Sequence, residues 1–156
     1  QDLYKRFSYP NPELTNTGYQ HRSALETIYN KSQSEKLLNC GVKLDKTADV
    51  MEHVISGRSY VGMTYEYTAM DYIDAGYPLE IVYPLDGTII NTDGIVRING
   101  TTHPKRDDFI QYMLSKEVQR HISDVFHVKS ARKDIPFKAY KVLKPLEEIN
   151  VLQGGD

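Results

Sequence analysis

Short apolar runs that stop at proline or glycine alternate here with longer stretches of helical periodicity, and this alternation constrains the fold more than any other feature. Residues 6–9 read as a strand closed by Pro10. From Thr17 the pattern turns helical, with Leu25, Ile28 and Tyr29 at i, i+3 and i+4. Residues 39–44 form a short extended link. Thr47 then reads as an N-cap, with Val50, Met51, Val54 and Ile55 on one face and Gly57 as the stop. YVGMTY (60–65) is strand-like, and residues 66–76 read as a short helix with Gly76 just past its end. LEIVYP (79–84) and GIVRI (94–98) are apolar and β-branched, so both are expected to be strands, with a turn-rich loop between them. Pro104 suits a first helical position, and Phe109, Ile110, Met113 and Leu114 supply that helix's apolar face. Ser115 caps a further helix with Val118, Ile122 and Val125 inward, and residues 137–143 allow a short one. Strands alternating with helices define an α/β class.

The bulk properties exclude more than they select. The 156 residues suffice for an ordinary domain with a core. A net charge of −2 provides no basic field for nucleic acid or anionic lipid. No apolar run approaches a membrane span, and the opening residues lack the apolar h-region of a signal peptide. Cys40 is the only cysteine, so no internal disulfide can form. The histidines at 21, 53, 103, 121 and 127 make no metal-binding pair, which argues against zinc. His21, one turn into the first helix, is a candidate pocket residue. No nucleophile elbow, phosphate loop or dinucleotide fingerprint occurs, so neither catalysis nor a cofactor is expected.

Three stretches could carry a ligand. In the first, Thr15-Asn16-Thr17-Gly18-Tyr19, Thr17 and Gln20 fit a capping box. The same helix start offers free N–H groups and a partial positive charge to an anion. Gly18 would let an oxyanion approach the backbone, so Gly18→Val should weaken binding more than folding. In the second, Tyr65 and Glu66 lie at a strand-to-helix turn, where open α/β sheets bind ligands. Glu66 also serves as an ordinary first-turn acid. In the third, Asp86, Gly87 and Thr88 follow a strand run and also read as common turn chemistry.

Taken in order, PNPELTNTGYQ, the block from VMEHVISG to YPLDGT, and GIVRINGTTHPKRDDFIQYMLSKEVQ resemble the solute-binding proteins of bacterial ABC importers. The branch is the one that takes ferric iron, 2-aminoethylphosphonate or sugar phosphates. The resemblance runs from about Leu3 to Ile149. It implies two periplasmic-binding-protein-like lobes, each a three-layer α/β/α arrangement on a mixed sheet, that trap a solute without chemistry. It further implies a membrane permease as partner and a periplasmic or cell-surface location. Thr15 to Tyr19 would hold the anion, with Tyr65, Glu66 and the loop from Asp86 to Thr88 bordering the cleft.

In that family a whole first lobe precedes anything like YPNPELT. The resemblance therefore assigns residues 1–93 to the second, ligand-binding lobe and 94–156 to a segment returning toward the first. Apolar surface on that segment is expected to fold back or to pair with a second copy. Iron-binding members carry adjacent tyrosines. Here Glu66 separates Tyr65 from Tyr67, and side chains at i and i+2 point apart unless the turn reorients them. A phosphate ester or phosphonate is thus the expected solute, with ferric iron as the alternative. A sensory role, passing a signal to a membrane kinase, is the other alternative.

Overall fold

The computed structural model describes residues 7–100, 103–137 and 142–152. The chain divides into two compact units, one built from the chain up to Ile90 together with residues from Leu146 onward, the other spanning Asn91–Pro145. The expected boundary between 93 and 94 thus falls just beyond the division. Residues 146–152, expected with the returning segment, belong to the first unit.

The first unit is α/β. Its strands are β1 (Phe7–Pro10), β2 (Val42–Leu44) and β3 (Val61–Gly62), all parallel, in the order β2-β1-β3. β1 is central because its side chains are the most apolar and buried of the three, and Pro10, which has no N–H to donate, ends it. Two helices, α1 (Asn16–Tyr29) and α2 (Lys31–Asn39), connect β1 to β2. They are separate because Asn30 sits at φ 81, a conformation asparagine tolerates better than most residues. Its N–H donates to Glu26 O, closing α1, and its side chain accepts from Gln33 N, opening α2.

α3 (Thr47–Ile55) returns the chain to β3 and packs across the sheet through the buried Val50 and Met51. Gly62 permits this approach, because a Cβ there would lie 2.8 Å from methyls of Val50 and Val54. Thr47 is the first helical residue rather than the cap, which is Lys46. The Thr47 hydroxyl instead donates to Thr17 at 3.3 Å. α4 (Glu66–Asp74) buries Met70 and stops before Gly76 at φ 92.

Residues 79–84 are not a strand. Val82 is 76% exposed and Leu85 94%. β-rich composition supplies propensity, but a strand also needs a neighbour for its N–H and C=O groups, and no ladder forms along this run. Beyond it, among the described residues, lies a parallel bridge between Thr88 and Val151.

The second unit contains α5 (Arg106–Met113) and α6 (Lys116–Phe126). Ser115 caps α6 as expected, accepting from Val118 N. Residues 94–98 are exposed and form no strand. The apolar face expected for α5 is not buried: Phe109 is 59% exposed, and no residue of the helix is buried. Val125 of α6, expected to point inward, is exposed as well. Arg132 knits this unit by bonding both Asp134 oxygens and Leu114 O. Four residues of the short helix allowed at 137–143 lie outside the described residues.

Candidate functional site

Parallel strands bring all their carboxyl ends to one edge of the sheet. The order β2-β1-β3 makes that edge divide between β1 and β3, because the chain leaves β1 toward β2 on one side and later arrives at β3 on the other. Connections diverge there and leave a crevice, the usual ligand position in open α/β sheets. Two turns border it: residues 11–15, leading from β1 into α1, and residues 63–65, leading from β3 into α4.

The first turn is fixed by Asn11, which is buried. Its N–H donates to Leu44 O at 2.7 Å and its side-chain amide to Asp45 at 3.1 Å, while its Oδ1 accepts from Glu13 N at 3.0 Å. Thr15, not Thr17, is the N-cap of α1: its Oγ1 accepts from Gly18 N at 3.0 Å and donates to Asn11 O at 2.9 Å. The capping box on Thr17 and Gln20 is therefore displaced by two residues, because the Asn11 turn sets where the helix begins.

Gly18 has a different reason to be glycine from the one expected. A Cβ would lie 2.2 Å from Pro10 O and 2.7 Å from Asn11 O. The close approach is by the chain's own backbone, so Gly18→Val should break the fold before it touches a ligand. Thr17 is buried and engaged with Thr47, while Asn16 and Tyr19 are exposed. The Arg22 guanidinium lies 5.9 Å from the centre of the Tyr19 ring and pairs with Glu13. As the first two helical residues, Asn16 and Thr17 present N–H groups with no partner among the described residues.

In the second turn, Tyr65 is the N-cap of α4 and contributes no side-chain cap. Its ring stacks on Tyr67 with centroids 5.4 Å apart and planes 17° from parallel. The turn therefore does reorient the pair, and the two rings share a face. Glu66 Oε2 accepts from the Tyr83 hydroxyl at 2.6 Å, a partner the sequence reading did not find. His21 closes the crevice from α1. Burial pushes its pKa down to about 4, only partly offset by its hydrogen bond to the Thr64 backbone.

The loop at Asp86, Gly87 and Thr88 lies elsewhere. Asp86 accepts from the hydroxyl of Tyr29, the last residue of α1. At 1.5 Å per residue, that end is about 20 Å from the helix start. Gly87, at φ 120, packs under Leu152, and Thr88 exchanges backbone bonds with Asn150 and Leu152. The structure thus brings Thr15 to Tyr19 together with Tyr65 and Glu66, but not with Asp86, Gly87 and Thr88. In the second unit, a shallow depression of 480 Å³ is lined by Lys116, Glu117, Arg120, His121 and Asp124. All five belong to α6, so it is a solvated helix flank. Among the described residues no group of three or more His, Cys, Asp or Glu side chains is placed to hold a metal ion.

Residues 10–142 match the family model for bacterial extracellular solute-binding proteins. The chain belongs to that family. A solved structure described as a two-component system protein that mediates signal transduction is similar over 98% of this chain, with 35% identity and a TM-score of 0.86. The chain spans 53% of that structure's length. No curated protein matches significantly. For a solute-binding family member, a crevice at the β1/β3 edge is where a ligand would be expected on topological grounds alone. No helix among the described residues is long and apolar enough to cross a membrane.

Proposed function

We propose that this lobe holds the anionic group of a small phosphate ester or phosphonate at the start of α1, as part of an exported solute-binding protein that works without chemistry. The observation that carries the reading is the pair of N–H groups on Asn16 and Thr17. They lack partners among the described residues and stand at the positive end of a 14-residue helix beside the β1/β3 crevice. Thr15 and Gly18 build this start without using those two donors, and Tyr65 and Glu66 form the opposite bank. A permease in the membrane is the partner for an importer.

Asn16→Pro tests the anion site with little risk to the fold. Proline is favoured at the first helical position, and Thr15 already has the extended backbone that must precede it. The variant removes one N–H and leaves the helix. Titration with ethylphosphonate, followed by backbone amide shifts, should move Thr17 and Asn16 in the parent protein. Binding should weaken about tenfold or more in the variant, the cost of a hydrogen bond to a charged group. An unchanged affinity would refute the site.

A sensory role is the second reading, supported by the signal-transduction description of the similar structure. Cross-linking in membranes of the source cell separates the two: a permease supports import, a kinase supports sensing. Ferric iron is tested directly, since the stacked Tyr65 and Tyr67 lie together. A visible absorption band with ferric citrate that disappears in Tyr65→Phe would replace the anion with iron.

A further inference from the structure

Residues 91–100 open the second unit and are exposed without interruption. Asn99 and Gly100 form a turn at the end of this stretch. Asn99 is the only asparagine of the chain that precedes a glycine. Gly100 sits at φ 83, which glycine adopts freely, and a Cβ built on it would meet nothing within 4 Å. Among the described residues neither member of the pair makes a hydrogen bond.

These conditions favour a reaction of the chain with itself. Asparagine is a thermolabile residue. The backbone nitrogen of the residue after it can close on Cγ to form a five-membered ring, with the high effective concentration that proximity gives. A side chain on that next residue crowds the approach, and glycine has none. A backbone N–H that already donates to a carbonyl is held away from Cγ, and the Gly100 N–H is not so held.

The neighbouring candidates each lack one of these conditions. At Asp86-Gly87, Gly87 N donates to Pro84 O at 3.2 Å, Asp86 accepts from Tyr29, and Leu152 covers the glycine. Asp93 also precedes a glycine and is exposed, but a carboxylate ionised at neutral pH resists a nucleophile. Asn91 is exposed too, but it precedes the β-branched Thr92.

We propose that Asn99 is a self-modification site, where the Gly100 nitrogen displaces ammonia and water then completes the conversion to aspartate and isoaspartate. Solvent base takes the Gly100 N–H proton. The nitrogen bonds Asn99 Cγ, the Cγ–Nδ2 bond breaks, and ammonia leaves with a proton from solvent. Water adds to either carbonyl of the resulting imide. Opening on one side gives aspartate. Opening on the other gives isoaspartate, whose main chain is one methylene longer. The net change is one water consumed and one ammonia released. Net charge moves from −2 to −3. The new carboxylate stands two residues from Arg97, which pairs with Asp107 of α5 at 3.3 Å, and competes for that guanidinium. Exposed pairs of this kind contribute little, so the conversion should change the charge of the unit without unfolding α5. None of this depends on the anion site.

The test ages the purified chain in mildly alkaline buffer, then maps it with trypsin and mass spectrometry. Cleavage after Arg97 and Lys105 isolates residues 98–105. This peptide should gain the mass of an amide exchanged for an acid, about tenfold or more faster than Asn91 converts. It should also become a substrate for an isoaspartyl methyltransferase, and the intact chain should acquire a more acidic form on ion exchange. Asn99→Gln, a conservative change at an exposed position, should abolish that form, because its ring closure is less favourable. A synthetic peptide of residues 98–105 aged alongside reports the unrestrained turn, and the intact chain should react on the same time scale. A peptide that converts while the intact chain does not would show that the fold protects the turn, and would overturn the proposal. So would a rate no faster than at Asn91, or an acidic form that persists in Asn99→Gln.

Discussion

The two units handle similar helices in different ways. In the first, Val50, Met51 and Met70 come from amphipathic helices and are each at most 3% exposed, Val50 and Met51 on the helix that packs on the sheet. In the second, α5 and α6 have comparable apolar stripes, yet Phe109, Tyr112 and Phe126 remain 56 to 59% exposed and the helices bury only Ser123. An apolar stripe is a demand for a partner. Among the described residues only the first unit meets that demand with a sheet of its own, so the first unit should own most of the stability and the second most of the sticky surface.

The largest expected effect is at Gly18. Valine there collides with the backbone of Pro10 and Asn11, which should cost about 3 kcal/mol or more. Hydrogen exchange should lose protection across the first unit while the amides of α5 and α6 keep theirs. Retained protection in β1 would break the comparison. Met70→Ala should cost about 2–5 kcal/mol in urea unfolding, as for other buried methionines.

A pH titration sharpens the contrast further. The His21 imidazole takes a proton near pH 6.5 when unfolded but only near 4 when folded. Between those values the unfolded state binds more protons, so the first unit should lose stability as pH falls from about 6.5 to about 4 and be insensitive above. The loss should be on the order of 2–3 kcal/mol, and His21→Phe should flatten it. Ser115→Ala should cost about 1 kcal/mol, visible as lost protection in α6 alone. Smallest of all, Phe109→Ser should alter stability by about 0.5 kcal/mol or less. It should still reduce any self-association measured by light scattering, and unchanged association would mean that the α5 face is not the sticky one.

Where local chemistry decides, the sequence was legible. Ser115 with its following periodic residues gave α6, Gly76 gave the end of α4, and Pro10 gave the end of β1. The start of α1 was legible as a region but not to the residue, because Thr15, Asn16 and Thr17 are all good caps and only the Asn11 turn chooses among them. LEIVYP and GIVRI failed because strand propensity cannot reveal whether a neighbouring strand exists. The proposed site at Thr15 to Tyr19 and the Tyr65–Glu66 turn could be found from strand-to-helix junctions. That Asp86 stands at the other end of α1 could not, since the Tyr29–Asp86 bond joins residues 57 apart. His21 was visible as a candidate, but its partnerless Nδ1 emerges only once Thr64 is brought against it.

The closing bridge of the first unit has a consequence for synthesis. Asn150 bonds Leu85 O across 65 residues, and Leu152 covers Gly87. A ribosome emits the chain from its N-terminus at roughly 5–20 residues per second. The sheet β2-β1-β3 can therefore assemble early, but the separate Thr88–Val151 bridge must wait several seconds while the whole of the second unit is made. During that interval Gly87 and Thr88 stand open to solvent, and the nascent first unit is a folded body with one unfinished seam. The order of translation, rather than the order of stability, sets when that seam closes.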